Sequence, residues 1–136
     1  MQGRFDVKVY RSAGGRSPVL DWLADRTDEQ QELCEALIEA LTEEGPALGW
    51  PDAKPLGKGL YELRGHVGTV QLRLLYFFKA GAIAVVAAGF VKKGPQMLDQ
   101  ARKLAERRRT EVERDPATHT LSITTEELLK LRRRRR

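Results

Sequence analysis

The second half of this chain carries basic side chains whose types and spacing fit the binding of a phosphate group. Arg73 lies in a run of apolar residues, where a lone charge is costly unless a ligand or a carboxylate pairs with it. A guanidinium can bind two phosphate oxygens at once and does not lose its proton in a protein. Arg73 is therefore the first candidate for a phosphate ligand. The alternative is a structural arginine that is paired with a carboxylate.

Four further charged residues and one histidine lie close to Arg73 in the sequence or in the neighbouring strands. Glu62 and Arg64 are two residues apart in a predicted strand, so their side chains point to the same side of the sheet. They would either contribute to a site or simply neutralise each other. Lys92 and Lys93 end the last predicted strand, and because adjacent residues face opposite ways, only one is expected to reach a shared site. His66, in a predicted loop, is a candidate for acid–base chemistry, although exposure without a role is the simpler interpretation.

The charge is unevenly distributed along the chain. Residues 1–50 contain five Lys/Arg and ten Asp/Glu, whereas residues 51–136 contain nineteen and nine, for a net charge of +5. This asymmetry indicates a polyanion-binding face backed by an acidic surface. The last predicted helix contributes basic residues that could contact the phosphates of a polyanion without reading sequence, or could only favour solubility. These residues are Arg102, Lys103, Arg107, Arg108 and Arg109.

Length and composition limit the other classes of protein. A chain of 136 residues is the size of one domain. It has no apolar run of about 18 to 20 residues and no apolar segment of a secretion signal near the N-terminus, so we expect a cytoplasmic protein with no membrane partner. Cys34 is the only cysteine and the two histidines are far apart, so neither an internal disulfide nor a zinc site is expected.

The order of predicted elements indicates an α+β fold, β-α-α-β-β-β-α, in which a small antiparallel sheet carries an N-terminal helical hairpin and a C-terminal helix. Alternation predicts a strand over residues 4–10, and apolar residues at helical spacing follow two N-cap signals, Ser17-Pro18 and Thr27 with Gln30. Four glycines and three prolines predict a loop over residues 45–59. Three strands over residues 60–64, 70–78 and 82–91 and a helix over residues 95–114 complete the prediction.

The chain is predicted to divide into a domain over residues 1–115 and an extension over residues 116–136. Residues 118–123 could form a short strand and residues 126–129 a helical turn. The alternative is a segment that is disordered until a partner binds it.

Three segments of the predicted sheet resemble a known family. Tyr61-Glu62-Leu63-Arg64, then residues 73–78 (RLLYFF), then residues 89–93 (GFVKK) are similar, in this order, to the sheet signatures of HigB-like toxins in the RelE/ParE superfamily. The resemblance implies a RelE-like fold and a sequence-selective endonuclease that cuts mRNA on the translating ribosome. In such enzymes the ribose 2′-hydroxyl attacks the adjacent phosphate, so no metal or cofactor is implied. The implied partner is a HigA-like antitoxin with a helix-turn-helix, through which alone the toxin would reach operator DNA.

The resemblance also implies roles for the candidate residues. Arg73 and Arg64 would stabilise the negative charge that develops on the phosphate, which is usually the largest contribution to catalysis. Glu62 would accept the 2′-proton, and the basic position after the last strand favours Lys93 over Lys92. Many relatives place a tyrosine or histidine shortly after that strand. Residues 94–100 (GPQMLDQ) contain neither, which leaves His66 as the candidate acid.

Two alternatives to the nuclease remain open. A ParE-like member of the same superfamily would inhibit gyrase and cut nothing. A non-catalytic domain would use the basic residues only to bind RNA or a partner protein. The nuclease prediction fails if Arg64, Arg73 and Lys93 are scattered over separate surfaces, or if Arg73 is locked away in an internal ion pair.

Overall fold

The computed structural model describes residues 4–123 together with Glu127, Lys130 and Leu131, and shows a six-stranded sheet with helices on both faces. The predicted α+β class is confirmed. The elements, in chain order, are β1 (Asp6–Tyr10), α1 (Pro18–Ala24), α2 (Asp28–Glu44), a 3-10 turn (Gly45–Ala47), β2 (Ala53–Gly57), β3 (Leu60–Val67), β4 (Val70–Lys79), β5 (Ile83–Lys92), α3 (Pro95–Arg114), α4 (Pro116–His119) and β6 (Thr120–Ser122).

Both N-terminal helices begin where the capping signals predict. The Ser17 hydroxyl accepts a hydrogen bond from the Leu20 amide at 3.2 Å, and Pro18 occupies the first helical position. Thr27 and Gln30 form a complete capping box, in which each side chain accepts from the other residue's amide. These local bonds satisfy amides that no helical carbonyl reaches.

The strand order is β2-β3-β4-β5-β1-β6. The neighbours from β2 to β5 pair antiparallel and so do β1 and β6, but β1 and β5 are parallel. The predicted antiparallel pairing therefore holds for every pair of neighbouring strands except β1 and β5. Alternation in residues 4–10 predicts a strand but carries no information on its direction.

The predicted loop over residues 45–59 contains strand β2. Pro55 and Gly57 are loop signals, yet both are tolerated because β2 lies at the edge of the sheet, where an amide that faces solvent is not needed for pairing. The turn into β3 gives Gly57, Lys58 and Gly59 positive φ values of 92°, 56° and 80°. Glycine adopts this region without penalty, which lets the chain reverse tightly between β2 and β3.

Two apolar clusters hold the sheet between its helices. Alternate residues of β3, β4 and β5, among them Leu63, Leu74 and Val86, pack toward α1 and α2. The other set packs toward α3, whose buried residues are Ala101, Ala105 and Val112. Residues 84–88 of β5 are buried on both faces, as predicted for a central strand.

Residues beyond α3 add a short helix and an edge strand to the same sheet. Strand β6 pairs with β1, and the ring of His119 stacks on Tyr10 with centroids 5.8 Å apart. Of the two alternatives for residues 118–123, the structure has the strand. The predicted helical turn over residues 126–129 and the arginine run over residues 132–136 lie outside the described residues, apart from Glu127. In the described part of the chain, no helix has the length and apolarity to cross a membrane.

Candidate phosphate-binding site

The register of three strands places the candidate residues on one face of the sheet. Arg64 of β3 lies directly opposite Arg73 of β4, and Gln71 lies opposite both His66 of β3 and Lys92 of β5. Residues that are paired across strands, or two apart in one strand, share a face. The shared set is Glu62, Arg64, His66, Gln71, Arg73 and Lys92. Toward the other end of the strands the same face is apolar and is covered by α3.

Arg73 is almost fully enclosed, with 4% of its side chain exposed. Its Nη1 donates to the Leu72 carbonyl at 2.9 Å and more weakly to that of Gly65 at 3.4 Å. Its Nε lies 3.8 Å from Glu62 Oε1 and has no hydrogen-bond partner. Burial lowers the pKa of Arg73, the charge of Arg64 lowers it further, and Glu62 opposes the shift. Most of these contacts fit the structural alternative of an arginine held by a carboxylate and backbone carbonyls.

Glu62 lies between the two arginines. Its Oε1 accepts a hydrogen bond from Arg64 Nη1 at 2.9 Å and is also the atom nearest Arg73, while its Oε2 is buried without a partner. The side chain is 2% exposed, and it does not line either cavity described below. This geometry favours the paired alternative for Glu62 and Arg64. A buried carboxylate shared by two guanidiniums is an anchor that fixes them and is poorly placed to take a proton from a substrate.

Two adjoining cavities are both bordered by Gln71 and Arg73. The second opens on this face, and the first also extends to Leu33 and Leu37 of α2, which packs on the opposite face. The first has a volume of about 360 Å³ and the second of about 450 Å³. The first is lined by Leu33, Leu37, Trp50, Pro51, Asp52, Arg64, Gly65, His66, Gln71 and Arg73. The second is lined by Gln71, Arg73, Lys92, Lys93, Gly94 and Pro95.

The second cavity lies at the N-terminus of α3. The first amides of a helix have no helical carbonyl to bind and carry partial positive charge, which attracts anions. The register places Lys92 on the face of Arg73, since Lys92 lies opposite Gln71. Lys93 follows the end of β5 and is exposed at the same cavity. Both lysines therefore border the cavity, but the strand geometry favours Lys92 where the family pattern favours Lys93.

His66 belongs to the first cavity and not to a loop. Strand β3 extends to Val67, three residues further than predicted, and brings the imidazole to the face of Arg64. The His66 Nδ1 lies 3.1 Å from the Gly68 carbonyl, which can only accept a hydrogen bond. In the neutral ring the proton is therefore on Nδ1, and Nε2 is free to accept one.

A sequence model of a family described as "Phage derived protein Gp49-like" matches residues 21–110. This match covers about two thirds of the chain and includes every residue that lines the two cavities. The chain belongs to the Gp49-like family.

A curated relative supports the resemblance to HigB-like toxins. A protein of Mycobacterium tuberculosis named "Putative toxin HigB2" is 37% identical over 92 residues. The aligned segment covers 62% of this Gp49-like chain and 46% of the relative, so the chain spans about half the length of the curated relative that it matches. The predicted HigB-like resemblance is confirmed.

The basic residues of α3 in this Gp49-like chain do not form the open cationic face that the sequence suggests. Arg102 donates to the Leu56 carbonyl, and Arg108 donates to the Ala87 carbonyl at 2.7 Å. Burial lowers the pKa of Arg108, whose guanidinium lies over the Tyr10 ring. For these two residues the predicted contact with RNA is opposed by contacts that fasten the helix to the sheet. Arg109 likewise donates to the Lys58 carbonyl at 2.7 Å.

Lys103 and Arg107 are the two predicted RNA-binding residues of α3 that remain exposed. Lys103 forms an ion pair with Asp99 at 3.3 Å, one turn away on the same helix. A surface pair of this kind is worth less than about 1 kcal/mol, so it does not prevent a contact with phosphate. Within the described ranges, no group of three or more potential metal ligands is present.

The sequence prediction missed Trp50. This side chain is 71% exposed beside the first cavity, and its ring centroid lies 4.6 Å from Cζ of Arg64. The signal that could have found it is a tryptophan in a segment rich in glycine and proline. Such a residue has few apolar neighbours in sequence with which to form a core, so an exposed ring could have been expected.

Proposed function

We propose that this Gp49-like protein is the toxin of a toxin–antitoxin system and cuts mRNA on the translating ribosome. One observation carries the proposal. Strands β3, β4 and β5 bring two arginines, a histidine and a lysine to one face, where two adjoining cavities meet at Arg73. Positive charge beside a group that can transfer a proton is what the cleavage of a phosphodiester bond by the ribose 2′-hydroxyl requires.

The reaction that we propose is an internal transesterification. The 2′-oxygen forms a bond to phosphorus while the bond from phosphorus to the 5′-oxygen breaks, which leaves a 2′,3′-cyclic phosphate and a 5′-hydroxyl. We assign His66 here as the base and no longer as the acid, because its Nε2 is free to accept the 2′-proton. The ammonium group of Lys92 gives a proton to the departing oxygen. Arg64, with 20% of its side chain exposed, contacts the phosphate. Arg73 stabilises the negative charge of the phosphate as a buried positive charge behind Arg64, and Glu62 positions both guanidiniums.

A non-catalytic binding domain is the second candidate, and the burial of Arg73 favours it. An arginine that is 4% exposed, beside a carboxylate that is 2% exposed, also describes an internal ion pair with a structural role. In that case the half-buried Arg64 and Lys92 and the exposed Lys93 would only bind RNA or a partner protein. The ParE-like alternative makes a different prediction, since it inhibits gyrase and leaves mRNA intact.

The partners follow from the same proposal. The substrate is mRNA held by the ribosome, which places the protein in the cytoplasm. A cognate antitoxin with a helix-turn-helix, encoded next to the toxin, would cover the cavities with an acidic or apolar segment and would carry the contact with operator DNA. Growth on co-expression, and arrest when the toxin is produced alone, would support this pairing.

Induction of the protein in cells, followed by mapping of mRNA 5′ ends, tests the proposal. We expect growth arrest together with discrete new ends inside translated regions, and unchanged DNA supercoiling. Arrest with intact mRNA and relaxed DNA would instead favour the gyrase inhibitor. Intact mRNA without arrest would favour the binding domain.

The two lysines of the second cavity provide a matched pair of variants. We expect Lys92→Gln to lower mRNA cleavage by about 10²-fold, because its ammonium shares the face of Arg73 and is the proposed proton donor, and general acid catalysis contributes about 10²- to 10⁴-fold. Lys93→Gln should lower it less than about threefold. Cleavage rates of the two variants on the same message provide the comparison, and a larger loss for Lys93→Gln would reverse the assignment.

A further inference from the structure

Trp50 is the large apolar side chain that the described surface leaves most open. It is 71% exposed, whereas the other large apolar residues within the described ranges are buried or half-buried. An exposed tryptophan is costly, and Trp is among the residues enriched where proteins bind their partners. The exposure of Trp50 therefore makes this side chain a candidate for contact with a ligand.

The backbone around Trp50 is fixed. The amides of Asp52 and Ala53 both donate to the Gly49 carbonyl at 3.0 Å, which closes the turn that contains Trp50. The Arg64 amide then donates to the Asp52 carbonyl at 2.8 Å and ties this turn to β3. The indole is thus held next to the site by main-chain bonds, in a place that does not depend on its own packing.

The side-chain contact adds a second constraint. The guanidinium of Arg64 lies over the indole at 4.6 Å and is itself held by Glu62 at 2.9 Å. With one face of the ring against Arg64 and 71% of the residue exposed, the opposite face is open to a ligand. A flat aromatic surface beside a phosphate-binding arginine suits one nucleotide, because the base can stack while its phosphate meets the guanidinium.

We infer that Trp50 is a stacking site for one unpaired RNA base, next to the phosphate that Arg64 contacts. The inference rests on the proposed function, for which it supplies a substrate contact. The charge of the cavity favours RNA over a protein segment, since two arginines, Arg64 and Arg73, line it together with one acidic residue, Asp52. Its volume of about 360 Å³ is in the range of small-ligand sites. Stacking tolerates every base, so Trp50 contributes affinity and position more than sequence choice.

Fluorescence can report on this contact directly. Trp22 and Trp50 are the two tryptophans, so Trp22→Phe leaves Trp50 as the only source of tryptophan fluorescence. The probe is a single-stranded pentanucleotide with 2′-O-methyl groups, which cannot be cleaved by 2′-attack. Five further versions of this probe each lack the base at one position. We expect the complete probe to quench the fluorescence of Trp50 in a saturable way, and we expect the quenching to be lost with one of the versions that lack a base.

Variants of Trp50 measure how much the stacking contributes. In the otherwise wild-type protein, Trp50→Ala should weaken binding of the pentanucleotide and lower mRNA cleavage in cells by about tenfold, within the range known for base stacking. Trp50→Phe should stay within about threefold of the wild type. Arg16→Ala, at an arginine that is 77% exposed and lines neither of the two cavities, should leave both unchanged.

The outcomes separate the inference from the proposed function. Equal binding and equal cleavage by Trp50→Ala and the wild type would overturn the stacking site while the nuclease stands. A loss of affinity for purified antitoxin alone, with RNA cleavage intact, would overturn it in favour of a protein-docking residue. Failure of the wild type itself to cut mRNA and to bind the probe would overturn both.

Discussion

Replacing Arg64 with alanine is expected to lower the rate of mRNA cleavage by about 10²- to 10³-fold. This is the loss usually seen when one group that stabilises developing negative charge is removed. Arg64 is the more exposed of the two site arginines, at 20% compared with 4% for Arg73, and is thus the one that can touch the phosphate. Measurement of the cleavage rate on purified ribosome complexes, beside the free energy of unfolding, checks the result.

The variant Arg64→Lys separates chemistry from folding. A lysine keeps the positive charge near Glu62 but cannot bind phosphate with two parallel hydrogen bonds. We expect a loss in rate of about tenfold or more, with a small change in stability. The exposed Arg16→Ala again provides the control. A cleavage rate for Arg64→Ala within threefold of the wild type would show that the phosphate lies elsewhere.

Replacing Glu62 with glutamine is expected to destabilise the fold by about 3 kcal/mol. Removal of one partner from a buried ion pair commonly costs about 3–5 kcal/mol, because the remaining charge is left without compensation. Here two guanidiniums lose the carboxylate that they share, and they lie opposite each other in the β3–β4 register. The lower end of the range applies because Arg64 can turn toward solvent. Urea unfolding of the variant measures the change.

Two further variants make this result specific to the buried pair. Glu113→Gln changes a carboxylate that is 57% exposed and pairs with Arg109, so it should cost less than about 1 kcal/mol. The double variant Glu62→Leu with Arg73→Met removes both buried charges and should recover most of the lost stability. If Glu62→Gln unfolds at the wild-type urea concentration, the carboxylate is not the anchor of the two arginines.

Local signals in the sequence predicted the helices well. Ser17 and the Thr27–Gln30 pair begin α1 and α2 because a cap depends on residues within three positions of each other. Strand β2 could not be predicted in the same way. Its Pro55 and Gly57 are typical of loops, and only pairing with β3 makes the segment a strand.

For the site, the residue types could be predicted but not their surroundings. The spacing of Glu62 and Arg64 predicts one shared face, which the structure has. The pairing of Arg64 with Arg73 depends on the β3–β4 register, which in turn depends on the turn at Gly68. How deeply Arg73 is buried depends on residues from three strands, and no pattern within one segment contains that information. The contacts of Arg102 and Arg108 could not be predicted for the same reason. In the helix sequence both residues are expected to be exposed, but in the structure they donate to carbonyls of the sheet.

We propose that the face formed by β3, β4 and β5 cleaves RNA by attack of the ribose 2′-hydroxyl. The most direct test is the chemistry of the ends left on an mRNA after incubation of the purified protein with ribosome complexes. We expect a 2′,3′-cyclic phosphate and a 5′-hydroxyl, and no cleavage when the ribose at the cut position carries a 2′-O-methyl group. Products that end in a 5′-phosphate, or cleavage of the 2′-O-methyl message at the normal rate, would contradict it.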